Sequence, residues 1–329
     1  MSRRSPRIKP FAIQTLAEVA DAPYDAAIAS LGFETRSRQI PEKLGTPHVT
    51  AVIPFEDRHE LDYAKNKEWF RDHAWTSIAI TETEFVEWAT TWLRDLCTGG
   101  PRPVRVAVDI SSMNRPRIGA VIEAMLSLPP NARAEVDLLY APAIFEAPER
   151  GNDPQIFDVA PVSDYFAGWW TDLDAPLIAV IGLGYELEMA ASAIDKLEPE
   201  STIVFRPDAE NHLYAGEVDR ANEALMQTRG VMPDPVHYKV ADPFSCFCEL
   251  ESTLAKLEPR FRIAMVPLGP KIYAACAMLA AALHSETSQV IRVSAGTHRI
   301  AQNRVSNGRL CGLSVLISPP PRQDVEDWC

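Results

Sequence analysis

The sequence lacks the features that mark membrane, disulfide-rich and zinc-binding proteins. No apolar run approaches the roughly 20 residues of a membrane-spanning helix, and the basic N-terminus leads into no signal-peptide core. The six cysteines include no C-x-x-C pair, and Cys246 and Cys248 have no second pair or histidine cluster nearby. We therefore expect a cytoplasmic protein without a disulfide framework or a metal site.

Positive charge is also scarce. The 329 residues include 32 lysines and arginines against 45 aspartates and glutamates, so the net charge is −13 at pH 7. This balance repels long polyanions, so we expect neither a long nucleic acid nor a membrane as partner. A small anionic ligand in a local basic pocket remains compatible with it. A hydrophobic content of 47% is typical of a globular chain, and the length suits about two average domains.

The two halves of the sequence repeat each other in order. Each begins with an apolar strand that ends in Gly-aromatic-Glu, at Gly32-Phe33-Glu34 and again at Gly184-Tyr185-Glu186. The two glutamates are 152 positions apart. Two further matching pairs lie 156 positions apart, Asn66 with Asn222 and Arg115 with Lys271. Such offsets indicate an internal duplication that has since acquired small loop insertions.

Apolar strands alternate with amphipathic helices throughout, which predicts an α/β fold. We expect two tandem Rossmann-like, doubly wound lobes with parallel sheets and helices on both faces. The first lobe would span residues 1–147 and the second 176–329, joined by a linker at 148–175 whose aromatic end packs between the lobes. Residues 312–318 alternate like an edge strand of the second lobe, ahead of a frayed tail.

Ligands of open α/β sheets bind beyond the carboxyl ends of the strands, where helix N-termini present unpaired N–H groups. The candidate ligand-binding residues therefore follow strands one and four of each lobe: Gly32, Phe33, Arg36, Ser111, Ser112, Asn114 and Arg115 in the first, and Gly184, Tyr185, Gly269, Pro270 and Lys271 in the second. Arg115 and Lys271 each place a cation where the helix dipole disfavours it, which indicates an anion between the lobes. The alternative is that both cations point to solvent and that the small residues only suit tight turns.

Three carboxylates are candidate catalytic residues if the protein is an enzyme: Glu34, Glu186 and Asp109. They could serve as acid or base in hydrolysing a phosphodiester or N-glycosidic bond of a nucleotide-like substrate. Alternatively, Glu34 pairs with Arg36 and Asp109 caps the turn that follows it. We expect Asn66 and Asn222 to hold loops.

The sequence carries no recognisable cofactor or hydrolase motif. The dinucleotide-like Ile181-Gly182-Leu183-Gly184 lacks its third glycine, no P-loop occurs, and the seven histidines have no hydrolase or metal spacing. No cofactor is therefore predicted.

The turn from Asp109 to Arg115, Asp-Ile-Ser-Ser-Met-Asn-Arg, precedes an apolar helix. It resembles the Asn-Leu-Thr-Gly-Gly-Thr-Lys type of motif of CRISPR-associated Rossmann-fold (CARF) domains, which sense cyclic oligoadenylates. Two such units in one chain are similar to the related SAVED domain, a tandem sensor of cyclic nucleotides in bacterial anti-phage systems. The resemblance implies a phosphate-binding turn at Ser111, Ser112, Asn114 and Arg115, with a second copy at Gly269 and Lys271. Ser112-Met113 replaces the Gly-Gly of the motif, and the second turn contains Pro270 and is about one residue shorter.

The sequence thus predicts a protein that binds a nucleotide or cyclic oligonucleotide in an interlobe cleft, with Phe33 and Tyr185 stacking on bases. The lobes account for nearly all residues, so we expect a sensor or regulatory subunit that acts through a protein partner. A hydrolase using the same cleft is one alternative. A non-catalytic interaction subunit, whose tryptophans contribute to a protein interface, is the other.

Overall fold

The computed structural model describes residues 11–16, 23–98, 100, 102–147, 158–168, 173–185, 189–208, 212–294 and 301–317. Their strands, in chain order, are β1 Phe11–Thr15, β2 Ala26–Leu31, β3 Val49–Pro54, β4 Thr76–Ser77, β5 Val104–Asp109, β6 Ala134–Tyr140, β7 Asp158–Pro161, β8 Leu177–Gly182, β9 Ser201–Asp208, β10 Val236–Lys239, β11 Arg262–Pro267, β12 Ser288–Ser294 and β13 Cys311–Ile317. Most are short apolar runs buried on both faces, as parallel strands covered by helices require.

Helices connect these strands. They are α1 Tyr63–Asp72, α2 Phe85–Cys97, α3 Arg115–Leu126, α4 Met189–Leu197, α5 His212–Ala221, α6 Glu223–Met226, α7 Pro243–Leu257 and α8 Lys271–Leu283, with 3-10 turns at Thr35–Arg38, Pro41–Lys43 and Asp164–Phe166. Helix α8 is buried at every position from Ile272 to Ala282, because it lies between the two sheets. Among the helices of the described residues, none combines the length and the apolar character that a bilayer span requires.

The predicted α/β class with parallel sheets is confirmed. One sheet contains the parallel order β4-β3-β2-β5-β6, and the other contains β10-β9-β8-β11-β12. When the parallel strands are renumbered from 1, starting at β2 in the first sheet and at β8 in the second, both sheets have the order 3-2-1-4-5. The first and fourth strands of each lobe therefore lie side by side at the centre of the sheet. The residues that follow these two strands are therefore neighbours at the carboxyl edge of each sheet.

The C-terminal strand was predicted wrongly. Strand β13 is not an edge strand of the second lobe, because it lies inside the first sheet between β1 and β6 and pairs antiparallel with both. Its alternation suggested a solvent-facing side, yet Ser314 is 1% exposed and its hydroxyl donates to Asp137. The serine that made this segment resemble an edge strand therefore has its hydrogen-bond partner inside the protein.

The predicted linker contains structure of its own. Strand β7 pairs antiparallel with β12 and closes one side of the second sheet. Of the aromatic end, Tyr165 and Phe166 fall within the described residues, whereas Trp169 and Trp170 lie outside them. Phe166 is buried and packs on α3: a Cβ added at Gly119 would lie 3.3 Å from a carbon of the Phe166 ring. Its 3-10 turn also contacts α8 and β12, so this segment packs between elements of both sheets.

One hydrophobic core joins the two sheets. It includes Val106 and Val136 of the first sheet and Val180 and Ile263 of the second. Helices α7 and α8 contact strands of both sheets: β1, β6 and β13 on one side and β10, β11 and β12 on the other. The helices between the sheets thereby fix how the two carboxyl edges face each other.

Candidate functional site

A cavity of about 970 Å³ lies where the carboxyl edges of the two sheets meet. Its walls come from the ends of β6, β9 and β10, the turns after β2, β5, β8 and β11, and the segment that leads into β13. Six of the predicted ligand-binding residues line it: Arg36, Arg115, Tyr185, Gly269, Pro270 and Lys271. Residues from both halves of the chain therefore meet at one site.

The cavity concentrates positive charge in an acidic protein. Its cationic lining residues are Arg36, Arg115, Lys239, Lys271, Arg304 and Arg309. Asp208 is the single acidic residue among those that line it within the described chain. In a chain with a net charge of −13, the cavity is therefore a local region of positive charge.

Arg115 and Lys271 reach across the cleft to each other's turn. The Arg115 Nε donates to the Pro267 carbonyl at 2.6 Å, and its Nη2 donates to the Gly269 carbonyl at 3.3 Å. In return, the Lys271 Nζ donates to the Ser111 carbonyl at 2.6 Å. The alternative in which both cations point to solvent is therefore wrong. The two side chains instead tie the lobes together at the floor of the cavity.

Lys271 is partly buried, and its surroundings change its acidity. Burial lowers the pKa of Lys271 to about 8; the carboxylate of Glu34 opposes this shift, and the neighbouring Arg36 and Arg115 add to it. An anion in the cavity would favour the protonated ammonium and raise this pKa. A negative charge near Lys271 would therefore be stabilising.

Glu34 holds Arg36 in place. The Arg36 Nε lies 2.6 Å from the Glu34 Oε2, and the two side chains are only 6% and 16% exposed. The Arg36 Nη1 also donates to the Ala141 carbonyl at 3.1 Å, and the guanidinium carbon lies 5.6 Å from the centroid of the Tyr140 ring. The predicted alternative role of Glu34, an ion pair with Arg36, is thus confirmed. Glu186, its proposed counterpart, lies outside the described residues.

Asp109 caps a turn, which was the alternative to a catalytic role. Its Oδ1 accepts the Ser111 N–H at 2.8 Å, while Oδ2 is buried without a hydrogen-bond partner among the described residues. Burial raises the pKa of Asp109 to about 6, and the hydrogen bonds from Ser111 oppose the shift. Asp109 is 1% exposed, so it lies behind the cavity wall and not on its surface.

Three of the predicted phosphate-binding side chains are used inside the protein. The Ser111 Oγ accepts the Ala141 N–H at 2.9 Å, and the Ser112 Oγ shares a 2.6 Å hydrogen bond with the Ser37 Oγ. The Asn114 Oδ1 caps α3 by accepting the Arg117 N–H at 2.8 Å. These residues shape the turn, while Arg115, which follows it, lines the cavity.

Close packing explains the glycines of these turns. A Cβ on Gly32 would lie 2.7 Å from the Ser37 Oγ of the same turn and 3.0 Å from the Cβ of Ser112, so the absence of a side chain lets the strand-one turn approach the strand-four turn. Gly269 has φ +74°, and a Cβ there would lie 2.2 Å from the Leu183 carbonyl oxygen. Both glycines bring backbone segments together, and only Gly269 also lines the cavity.

Matching asparagines hold the strand-one turns, as predicted. The Asn66 Nδ2 donates to the Gly32 and Glu34 carbonyls, each at 2.9 Å. The Asn222 Nδ2 donates to the Gly184 carbonyl at 2.8 Å. The same amide contact therefore fixes the same turn in each lobe.

The two predicted stacking residues have different positions. Tyr185 lines the cavity, where Phe145 and Tyr214 surround it. Phe33 packs instead against a core cluster on the outer face of the first sheet, together with Leu310. A ligand in the cavity can therefore stack on Tyr185 and not on Phe33.

Sequence reasoning missed seven charged or aromatic residues that line the cavity: Tyr140, Phe145, Asp208, Tyr214, Lys239, Arg304 and Arg309. Tyr140, Asp208 and Lys239 end strands β6, β9 and β10, so the carboxyl-end rule would have found them had it been applied to every strand. Arg304 and Arg309 lie in the segment before β13, which was assigned to the wrong lobe. No local pattern pointed to them.

No metal centre is evident in the part of the chain that the structure describes. There, no group of three or more His, Cys, Asp or Glu side chains could hold an ion.

Comparison with known proteins adds no family. No protein-family model matches the chain, and no curated protein matches it. The geometry of the cavity is therefore the basis for a functional proposal.

Proposed function

We propose that the protein binds a nucleotide or cyclic oligonucleotide in the cleft between its lobes and acts as a sensor or regulatory subunit. The observation that carries the proposal is the clustering of six cations with the aromatic rings of Tyr140, Phe145, Tyr185 and Tyr214 around one cavity. Guanidinium and ammonium groups pair with phosphate oxygens, and aromatic faces stack on bases. These are the two recognition elements that a nucleotide needs.

The cleft also offers a way to signal that it is occupied. Arg115 and Lys271 bind backbone carbonyls of the opposite lobe, and phosphate groups would compete for the same donors. A ligand that draws these cations away changes the contacts between the lobes, which shifts the equilibrium between arrangements of the two lobes. A partner protein that recognises one arrangement could then respond. The shared strand order supports the duplication, and with it a SAVED-like tandem sensor.

The positions of the carboxylates favour binding over hydrolysis. Glu34 is occupied by its ion pair with Arg36, and Asp109 is buried behind the wall. A general acid or base has to come within hydrogen-bond reach of the reacting group. Hydrolysis therefore remains the second candidate and is tested in the same experiment.

The test is a binding screen with matched variants. Thermal shift and calorimetry with a panel of mono-, di-, tri- and cyclic nucleotides should identify a stabilising ligand. The double variant Arg115→Gln, Lys271→Gln removes two partly buried cations from the cavity, and Lys256→Gln removes an exposed lysine elsewhere. Thermal unfolding checks that both proteins fold. We expect the double variant to bind at least about tenfold more weakly, about 1.4 kcal/mol, and the control to bind normally.

The fate of the ligand separates the two candidate functions. Recovery of unchanged nucleotide after incubation supports a sensor, whereas a product that forms with the wild type and not with Glu34→Gln supports a hydrolase. Absence of binding across the whole panel, or equal affinity of the double variant and the wild type, would refute nucleotide binding in this cleft.

A further inference from the structure

The two ends of the cavity have different chemistry. At the first-lobe end, Arg36, Arg115 and Lys271 line the cavity, and the Lys271 Nζ reaches the Ser111 carbonyl of the first-lobe turn that leads to Arg115. At the second-lobe end, Phe145, Tyr185 and Tyr214 pack edge to face, with ring centroids 5.6 to 5.8 Å apart. Tyr140 also lines the cavity beside Arg36, but it is only 7% exposed and the Arg36 guanidinium carbon lies 5.6 Å from its ring centroid. The partly exposed rings are therefore concentrated at the second-lobe end.

The segment that leads into β13 removes the symmetry that a duplication would otherwise create. It lies across the first-lobe turn, where the Thr35 N–H donates to the Asn303 Oδ1 at 2.8 Å and the Arg36 N–H donates to the Arg304 carbonyl at 3.1 Å. Phe33 of that turn and Leu310 of the same segment pack against the same core cluster. Leu310 is among the residues that line the cavity, whereas Phe33, the first-lobe counterpart of Tyr185, is not.

The one acidic residue among the described residues that line the cavity, Asp208, lies at the aromatic end, next to Lys239 on the neighbouring strand. The Asp208 carboxylate lies 2.7 Å from the His237 Nδ1 and 3.6 Å from the Arg206 Nη1. A carboxylate repels phosphate, whereas it can accept a hydrogen bond from an amino group of a base. Phosphates are therefore favoured at the opposite end, where Arg36, Arg115 and Lys271 line the cavity without an acidic lining residue beside them.

We infer that the cavity takes an asymmetric ligand with one base and several phosphates, of the nucleoside di- or triphosphate class. The base lies against Tyr185 and Tyr214, and the phosphates lie among Arg36, Arg115 and Lys271. Arg304, whose guanidinium carbon is 6.0 Å from the Tyr185 ring centroid, lies between the two ends. This inference rests on the proposed function and narrows it. A two-fold symmetric cyclic dinucleotide would need an aromatic surface at each end.

The experiment compares ligands that contain both a base and a phosphate chain with a ligand that contains the phosphate chain alone. Calorimetry is carried out with ATP, GTP, inorganic tripolyphosphate, and the cyclic dinucleotides of adenine and guanine. Tyr185→Leu removes the ring at the aromatic end, and Phe33→Leu is the matched change at the corresponding position of the first lobe. Tyr214→Leu is a second variant for the aromatic end, and thermal unfolding checks that each protein folds.

We expect one triphosphate per chain to bind more tightly than either cyclic dinucleotide. Tyr185→Leu and Tyr214→Leu should weaken triphosphate binding about tenfold while tripolyphosphate binds as before, and Phe33→Leu should change neither. Tighter binding of a cyclic dinucleotide, or equal losses in Tyr185→Leu and Phe33→Leu, would overturn the asymmetric ligand and leave nucleotide binding intact. Failure of every probe to bind would instead refute the proposed function itself.

Discussion

Single residues determine how closely the elements around the cleft approach one another. Gly182 ends β8, and an ideal Cβ at this position would lie 2.0 Å from an atom of the Tyr273 ring. Tyr273 belongs to the buried face of α8 and is 1% exposed, so the ring has no space into which to move. The contact between strand and helix therefore depends on the absence of one methyl group.

Gly182→Ala should lower the free energy of unfolding by about 2 to 3 kcal/mol, because overpacking of a close-packed core forces side chains and backbone to shift. Urea denaturation measures the change. Gly216→Ala is the matched control: Gly216 lies within α5, and a Cβ there meets no heavy atom of the described residues within 4 Å. The control should gain about 0.5 to 1 kcal/mol of helix stability. Similar losses in both variants would contradict the steric explanation.

Lys271 should make anion binding depend on pH. Its pKa is lowered to about 8 by burial, so the free protein loses the ammonium charge as the pH rises through that value. Affinity for tripolyphosphate should fall between about pH 7 and about pH 9.5, although the ligand itself becomes no less negative. Calorimetry at several pH values measures this fall.

Lys271→Met provides the comparison for the pH dependence. The variant should bind weakly at neutral pH and lose little further affinity as the pH rises. The sign for stability is opposite to that for binding: because the folded-state pKa lies below the ordinary value of 10.5, the wild type should gain stability relative to Lys271→Met between about pH 8 and about pH 10.5. A parallel loss of affinity in both proteins would assign the dependence to another group.

At the scale of elements, a buried carboxylate joins β13 to the first sheet. Asp137 on β6 accepts the Tyr24 hydroxyl at 2.7 Å, the Arg105 Nη2 at 3.0 Å and the Ser314 hydroxyl at 2.5 Å. Asp137 is fully buried, so its charge is stable only because these three donors surround it. Strands β5, β6 and β13 are thereby linked by one polar network.

Asp137→Ala should lower the free energy of unfolding by about 3 kcal/mol or more, because the largely buried guanidinium of Arg105 keeps only the partly exposed Glu135 as a carboxylate partner and the Tyr24 and Ser314 hydroxyls lose their acceptor. Ser314→Ala removes one neutral donor and should cost about 1 kcal/mol. Asp95→Ala, at a side chain that is 69% exposed, should change stability by less than about 0.5 kcal/mol. Chemical denaturation of the three variants measures these losses in the free energy of unfolding. A loss in Asp137→Ala as small as that in Asp95→Ala would show that the buried network does not stabilise the fold.

At the scale of the molecule, the lobes share a core. The cluster that contains Val106 and Val136 also contains Ile263, and α7 and α8 pack on both sheets. The first sheet is completed by β13, which follows the second lobe in the chain. Neither sheet can lose its packing without exposing apolar surface of the other.

The intact chain should therefore unfold in one cooperative transition. Leu313→Ala in the first sheet and Ile263→Ala in the second, both fully buried, should each lower the free energy of unfolding by about 2 to 5 kcal/mol. Tryptophan fluorescence and circular dichroism should report the same shifted midpoint for each variant. Two transitions, of which each variant moves only one, would show that the lobes unfold independently.

Much of the site follows from local sequence. The apolar runs determine the strands, and the residues after strands one and four had to meet at the carboxyl edge of each sheet. For this reason Arg36, Arg115, Tyr185 and Lys271, which are candidates from the sequence, line the cavity. The asparagine pair was also predictable, because an amide can satisfy the carbonyls of a tight turn.

The tertiary structure alone decided the rest. The residues from Cys311 to Ile317 determine that the segment forms a strand, yet which sheet edge it joins depends on contacts with residues far away in the chain, such as Ser314 with Asp137. That choice carries Arg304 and Arg309 to the cavity. Periodicity encodes which faces are buried, whereas strand partners are selected by the packing of the whole chain. The sequence by itself therefore determined an α/β protein with cations at its strand ends, and the folded chain decided that these cations line one cavity.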